Sequence, residues 1–149
     1  MKRTVLGIFL TFIFACAIVY FEKFYQSMGL PDVSDISALQ TWLYSVAEKI
    51  IPLLIIPFTL FMNGDYIPII AWGIAGFAGG AIAKSYSRAF LVSLISVGLV
   101  ILILMLLPTG LSAIYVLGVA SIEYDWGVAV AITLIAALIG SSLTMSEEE

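Results

Sequence analysis

The stretch WGIAGFAGGAIAKSYSRAF, residues 72–90, is apolar and nearly without bulk until Lys84, and a second cation, Arg88, follows four residues later. At about 100° per residue, Gly73, Gly76, Gly79, Gly80 and Ala83 fall on an arc of about 120° of a helix, with Ile74, Phe77 and Ile82 outside it. One side of this helix is almost bare backbone, and Trp72 on the same arc confines the groove to the later turns. Apolar side chains gain little by leaving lipid for protein, so helices in a bilayer associate by close packing, which small-xxx-small pairs such as Gly76 with Gly80 allow. These five small residues are therefore the candidate helix-packing interface. Lys84 and Arg88 stop this helix and start the next, their charges reaching the headgroups on one side.

The whole chain has the same character. Of its 149 residues 62% are hydrophobic and 11% charged, with a mean hydropathy of +1.16, whereas soluble domains carry about a quarter charged residues. This composition indicates an all-α integral membrane protein forming a single polytopic domain over 1–149, with room for about four to six spans of about 20 residues each. The net charge is −4 and the six cations are scattered, so no basic patch of the kind that binds nucleic acid or acidic lipid headgroups is present, and neither is expected as a partner. The single cysteine, Cys16, excludes an intrachain disulfide, and with no histidine there is no ligand set for zinc, haem or copper. No cofactor is expected. The partners implied are the lipid bilayer and other membrane-protein subunits, or further copies of the chain.

About five transmembrane helices are expected, at about 4–21, 46–62, 66–83, 89–107 and 127–144. The first follows the cations of MKR and imitates a secretory leader, but is read as a retained helix. Gly29, Pro31 and four charges in EKFYQSMGLPDVSD make the first loop. Asp35 then stands as an N-cap before Ile36, Leu39, Leu43, Val46 and Ile50, an apolar stripe that marks 36–48 as an interfacial amphipathic helix. Pro52 and Pro57 each remove a backbone donor from the second span, which must be kinked or re-entrant. Asn63, Gly64 and Asp65 form a polar turn, and Pro68 lies in the first turn of the third span. PTG at 108–110 ends the fourth. The apolar stretch 111–122 is half a span long and reads as an interfacial or re-entrant half-helix.

The later helices also carry small faces: Ala89, Ser93 and Ser96 in the fourth span, and Ala129, Thr133, Ala136, Gly140 and Thr144 in the last, opposed by Val128, Ile132, Ile135 and Ile139. None of the charged residues falls mid-span, so a transport path lacks the ionisable groups that usually mark one. The polar candidates for lining a pore are the hydroxyls of Thr59, Ser93, Ser96 and Thr133, and such groups more often bond their own helix. No nucleophile elbow, phosphate loop or zinc motif occurs, so no enzymatic activity is expected. Glu123 and Asp125 in EYDW read as a solvated turn at the headgroup boundary.

These features predict a non-catalytic multi-pass subunit that packs through small-residue faces within a larger membrane complex, or, as the alternative, a homo-oligomeric channel or small transporter. With five spans, the cation rule places Lys23, Lys49, Lys84 and Arg88 in the cytoplasm against Lys2 and Arg3 outside, so the N-terminus is expected outside the cell membrane and the C-terminus in the cytoplasm.

Overall fold

A computed structural model describes residues 1–29, 33–106 and 122–145, so the half-helix expected at 111–122 lies, but for Ile122, outside the described residues. Among them every regular element is a helix: α1 (Lys2–Lys23), α2 (Tyr25–Met28), α3 (Ile36–Ile55), α4 (Pro57–Met62), α5 (Ile67–Ala83), α6 (Tyr86–Leu106) and α7 (Ile122–Met145). Three are long and apolar enough to cross a membrane by length and composition: α1, α6 and the Tyr124–Met145 part of α7. The apolar helix α5 is shorter, at 17 residues.

Local chemistry sets the boundaries. Asp35 accepts from the N–H groups of Ser37 and Ala38, at 3.0 and 3.4 Å, and so caps α3. α3 stops at Ile55 because Pro57 has no N–H to continue the ladder and its ring drives the preceding residue out of the helical region; Ile56 accordingly sits at φ −117°, ψ 48°. Pro57 then opens α4, where its fixed φ is already suitable. Gly64, at φ 88°, makes the turn after α4 that a side chain would strain. At the far end of α5 the chain turns through Lys84, whose φ of 54° is left-handed, while its N–H bonds the Gly80 carbonyl.

α5 runs through the middle of the bundle, between α1 and α7, and α6 packs against all three. Gly7 and Thr11, early in α1, touch Gly79, late in α5, so these two helices are antiparallel. Gly76 faces Thr133 and Gly80 faces Ala137, so α5 and α7 are parallel. The contacts are backbone to backbone: a Cβ built on Gly76 would lie 2.6 Å from the Thr133 carbonyl oxygen, and one on Gly80 would collide with the Ala137 carbonyl. One on Gly140 would collide with that of Phe77. On the outside Phe9, Ile13, Ile74, Phe90, Leu94, Ile135 and Ile139 are exposed, the apolar surface a bilayer would cover.

The segment expected as a second span, 46–62, is not one continuous helix but is divided at Ile56 between α3 and α4. The Gly29 carbonyl, ahead of α3, accepts from Tyr20 Oη near the end of α1 and from Trp42 Nε1 at 3.3 Å. Asp65, after α4, forms an ion pair with Lys23, the last residue of α1. The segment therefore leaves and returns at one end of the bundle. Between those points Ile50, Ile51, Leu54 and Ile56 are buried in one cluster with Ala15, Trp72 and Val97. It is a wedge driven into the bundle, and the expected interfacial helix 36–48 is the first part of α3, which leads into it. Among the described residues three helices are long and apolar enough to cross a membrane, so five crossings are not confirmed.

The backbone contacts yield a stability expectation. Gly80→Ala adds one methyl group against the Ala137 carbonyl and should destabilise the detergent-solubilised protein by about 1–3 kcal/mol, as overpacking of a tight contact does. Ile74→Leu, on the exposed face, should leave the thermal melt unchanged. Equal melts for both variants would remove the close approach of α5 and α7.

Candidate functional site

The break between α3 and α4 is the one place in the described core where the helical ladder is interrupted inside buried chain, since Leu54, Ile55, Ile56 and Pro57 are all buried. An interrupted helix exposes donors at its new N-terminus and acceptors at its old C-terminus, and an unbonded polar group in a dry interior costs about 1–3 kcal/mol. Here side chains from two other helices satisfy both kinds. In an unbroken helix Thr59 N–H would bond the Ile55 carbonyl; instead it donates to Asp125 Oδ1 at 2.7 Å. Thr59 Oγ1 donates to Asp125 Oδ2, also at 2.7 Å. On the other side of the break the Leu54 carbonyl accepts from Trp72 Nε1 at 2.8 Å.

Asp125 is fully buried in the first turn of α7, which corrects the expectation that it belongs to a solvated turn. The reason is the unpaired N-terminus of α4: its N–H groups and the positive end of its peptide dipoles attract a carboxylate strongly enough to draw one inside. Of Glu123's side chain nothing is described. Phe58 and Tyr124 flank the contact, with ring centroids 6.2 Å apart. Trp72 is also fully buried; the sequence placed it as a bulky limit on the small-residue groove, and its polar edge proves to be what matters.

The other expected residues are distributed as follows. Gly76 and Gly80 face α7, Gly79 faces Thr11 and Gly7 of α1, and Ala83 is fully buried beside Ala89, Val92 and Ala137. Gly73 is looser, with Ile132 at ordinary contact distance from a built Cβ, 3.9 Å. The face of α5 is thus filled by this chain's own α1 and α7. On α7 the buried stripe is Ala129, Thr133, Ala137, Gly140 and Ser141, so Ala137 rather than Ala136 takes the innermost place. Of the four hydroxyls considered for a pore, Thr59 is held by Asp125, while Ser93 and Thr133 bond the carbonyls of Ala89 and Ala129 at 3.0 and 2.7 Å. Ser96 Oγ is buried without a partner, as is Trp126 Nε1. Among the described residues no group of three His, Cys, Asp or Glu could hold a metal ion.

The arrangement therefore binds backbone to side chain. It holds a broken helix in place. Comparison of the chain with known protein families, with curated proteins and with solved structures finds no match.

Removing one partner of this contact should be costly. Asp125→Ala leaves the Thr59 N–H and hydroxyl unbonded in a dry site and is expected to destabilise the protein by about 2–6 kcal/mol, two unmet donors at the usual cost. Thr59→Ala should cost less, since the N–H contact persists. In the double variant the two losses should not add, because they share one hydrogen bond; additive melts would mean that the two side chains do not interact.

Proposed function

We propose that this chain is a non-catalytic multi-pass membrane protein, a bundle of four crossing helices with a re-entrant wedge, that serves as a subunit of a larger membrane assembly. The observation that carries the reading is Asp125. It is the single ionisable side chain fully buried among the described residues, and it is committed to the backbone and hydroxyl of Thr59 rather than offered to a solute. Buried charge in a membrane interior is costly and usually marks a path for ions or protons. Where the charge is spent on holding a helix end, it supports a structural role. The small-residue faces, filled from within the chain, serve the bundle itself, and a partner is met by the apolar outer surface or by the polar end around Asp65.

A second reading, a small transporter or homo-oligomeric channel, is favoured by one specific feature. Broken helices near a bundle core are the usual makers of solute sites in transporters, and Ser96 leaves a buried hydroxyl unpartnered. Against it stands the satisfaction of two of the groups freed by the break, the Thr59 N–H and the Leu54 carbonyl, by side chains of the chain itself.

Four crossings put both ends of the described chain on one side, with Lys2, Arg3, Lys84 and Arg88; Lys23 and Lys49 lie at the other. Cations favour the cytoplasm in short loops, so the proposed orientation keeps 84–88 inside and brings the N-terminal segment inside with it. In a Cys16→Ser background, Asn63→Cys should react with an impermeant maleimide on intact cells, and Ser85→Cys only after permeabilisation. Labelling of both from the same side would end the four-crossing topology.

The function itself is tested by cross-linking in native membranes followed by purification of the tagged chain. A fixed set of larger membrane proteins in constant ratio is expected, together with no ion flux when the pure protein is reconstituted into liposomes. Flux from the pure protein that Ser96→Ala abolishes would replace the subunit reading with the channel.

A further inference from the structure

Between α1 and α3 lies a groove of about 320 Å³ whose lining is almost wholly apolar, with Phe12, Cys16 and Phe21 on one wall and Trp42, Val46 and Ile50 on the other. It opens beside the outer face of α1, where Ile13 and Phe14 are exposed. The volume lies at the small end of the roughly 300–1,000 Å³ that enclose small ligands. Its walls offer no ladder of polar groups for a peptide or sugar. The occupant it suits is a length of hydrocarbon.

The upper end of the groove is different in kind. On α1 the lining face 13, 16, 17, 20, 21 continues to Phe24, and on α3 the face 42, 46, 50 is bordered by Lys49. The Lys49 ammonium stands 6.0 Å from the centre of the Phe24 ring, and no carboxylate of the described residues pairs with it. Tyr20 and Trp42, edge to face at 5.4 Å, turn their polar atoms to the Gly29 carbonyl, so the groove is also bordered by aromatic rings with bonded polar edges. Aromatic residues with one wet edge and a cation beyond them mark the level of the headgroups. An apolar slot below that level and an unpaired cation at it are complementary to one molecule: a lipid with its chain down and a negative group up.

We propose that the groove between α1 and α3 is a binding site for an anionic phospholipid, which lays one acyl chain along Cys16, Ala17 and Val46 and sets its phosphate region against Lys49. The chain exchanges bulk lipid for a fixed apolar wall, a modest gain in itself, so selectivity for the site rests on the headgroup charge. Bound there, the lipid fills the space between α3 and α1. This inference rests on the membrane placement alone and not on the subunit reading, because the test uses the isolated chain.

The test places the purified protein in nanodiscs of phosphatidylcholine doped with equal traces of phosphatidylglycerol and phosphatidylcholine carrying a photoreactive acyl chain, and maps the cross-linked residues by mass spectrometry. Labelling of 12–21 and 42–50 by phosphatidylglycerol should exceed that by phosphatidylcholine about five-fold, the factor that one basic residue near an anionic group typically contributes. Lys49→Gln should bring the two lipids level. Leu43→Trp, which puts bulk at the rim of the groove, should reduce labelling there by both lipids while leaving Phe90 and Leu94 on α6 labelled as before; Ala17→Leu is the second filler should the first variant lose its helical melt. Groove labelling no stronger than that of Phe90 and Leu94 would mean ordinary boundary lipid and would overturn the site. Equal labelling by the two lipids in the parent, or an unchanged ratio in Lys49→Gln, would overturn the headgroup assignment.

Discussion

The spacing of this bundle is set by how closely two backbones can approach along α5. Where Gly76 and Gly80 meet Thr133 and Ala137, and Gly140 meets Phe77, no side chain separates the helices. In a medium as apolar as the side chains themselves, dispersion contact at this range is what favours association. α1 reaches the other side of the same helix through Gly7, Thr11 and Gly79. A helix presenting glycine on two sides can be clasped from both, and that is why α5, shorter than α1, α6 and α7, is the central one. The hydroxyls along these seams are turned back onto their own carbonyls, Thr11 to Gly7 and Thr133 to Ala129, so close approach does not strand polar atoms.

Close packing of α1, α5, α6 and α7 would still leave a gap at one end, because α5 has 17 residues where α6 has 21 and α7 has 24. The wedge occupies that end. Ile50 to Ile56 enter among α1, α5 and α6, and α4 climbs out against α5 and α7. A hairpin of chain can enter an apolar bundle only if the backbone groups at its tip are bonded. Pro57 makes the sharp turn possible by fixing the start of α4, and two of the groups freed there, the Thr59 N–H and the Leu54 carbonyl, are taken up by Asp125 and Trp72. The wedge, the buried acid and the buried indole are therefore one device.

Much of this was legible in the sequence, and what was not shares a single cause. Four of the apolar runs correspond to α1, α5, α6 and α7 within a few residues, since length and hydropathy are local properties. The arc of Gly76, Gly79, Gly80 and Ala83 came from helical periodicity, and Asp35 and Pro57 announced a cap and a break through rules that act over a few residues. The return of the wedge to its own side depends on pairs far apart in the chain: Lys23 with Asp65, 42 residues on, and Thr59 with Asp125, 66 residues on. Nothing local distinguishes Asp125 from Glu123 in EYDW. The available clue was indirect: a proline break inside an apolar run demands a donor and an acceptor from elsewhere, and few polar side chains border the other spans.

The two ends of the molecule consequently do different work. At the Lys84 end the chain passes from α5 to α6 through a tight left-handed turn, and small buried residues, Ala83 and Ala89, meet there with Ala137. At the Lys23 end lie the ion pair to Asp65, the Asp125 contact, the Gly29 carbonyl bonded by Tyr20 and Trp42, and the ring pairs Phe58–Tyr124 and Phe61–Tyr66. Glycine seams give the first end rigidity with little chemistry to perturb. The second end is joined by a few polar bonds between elements far apart in sequence, each of which can be broken singly, so a partner or a lipid that acts on this fold has its strongest purchase there.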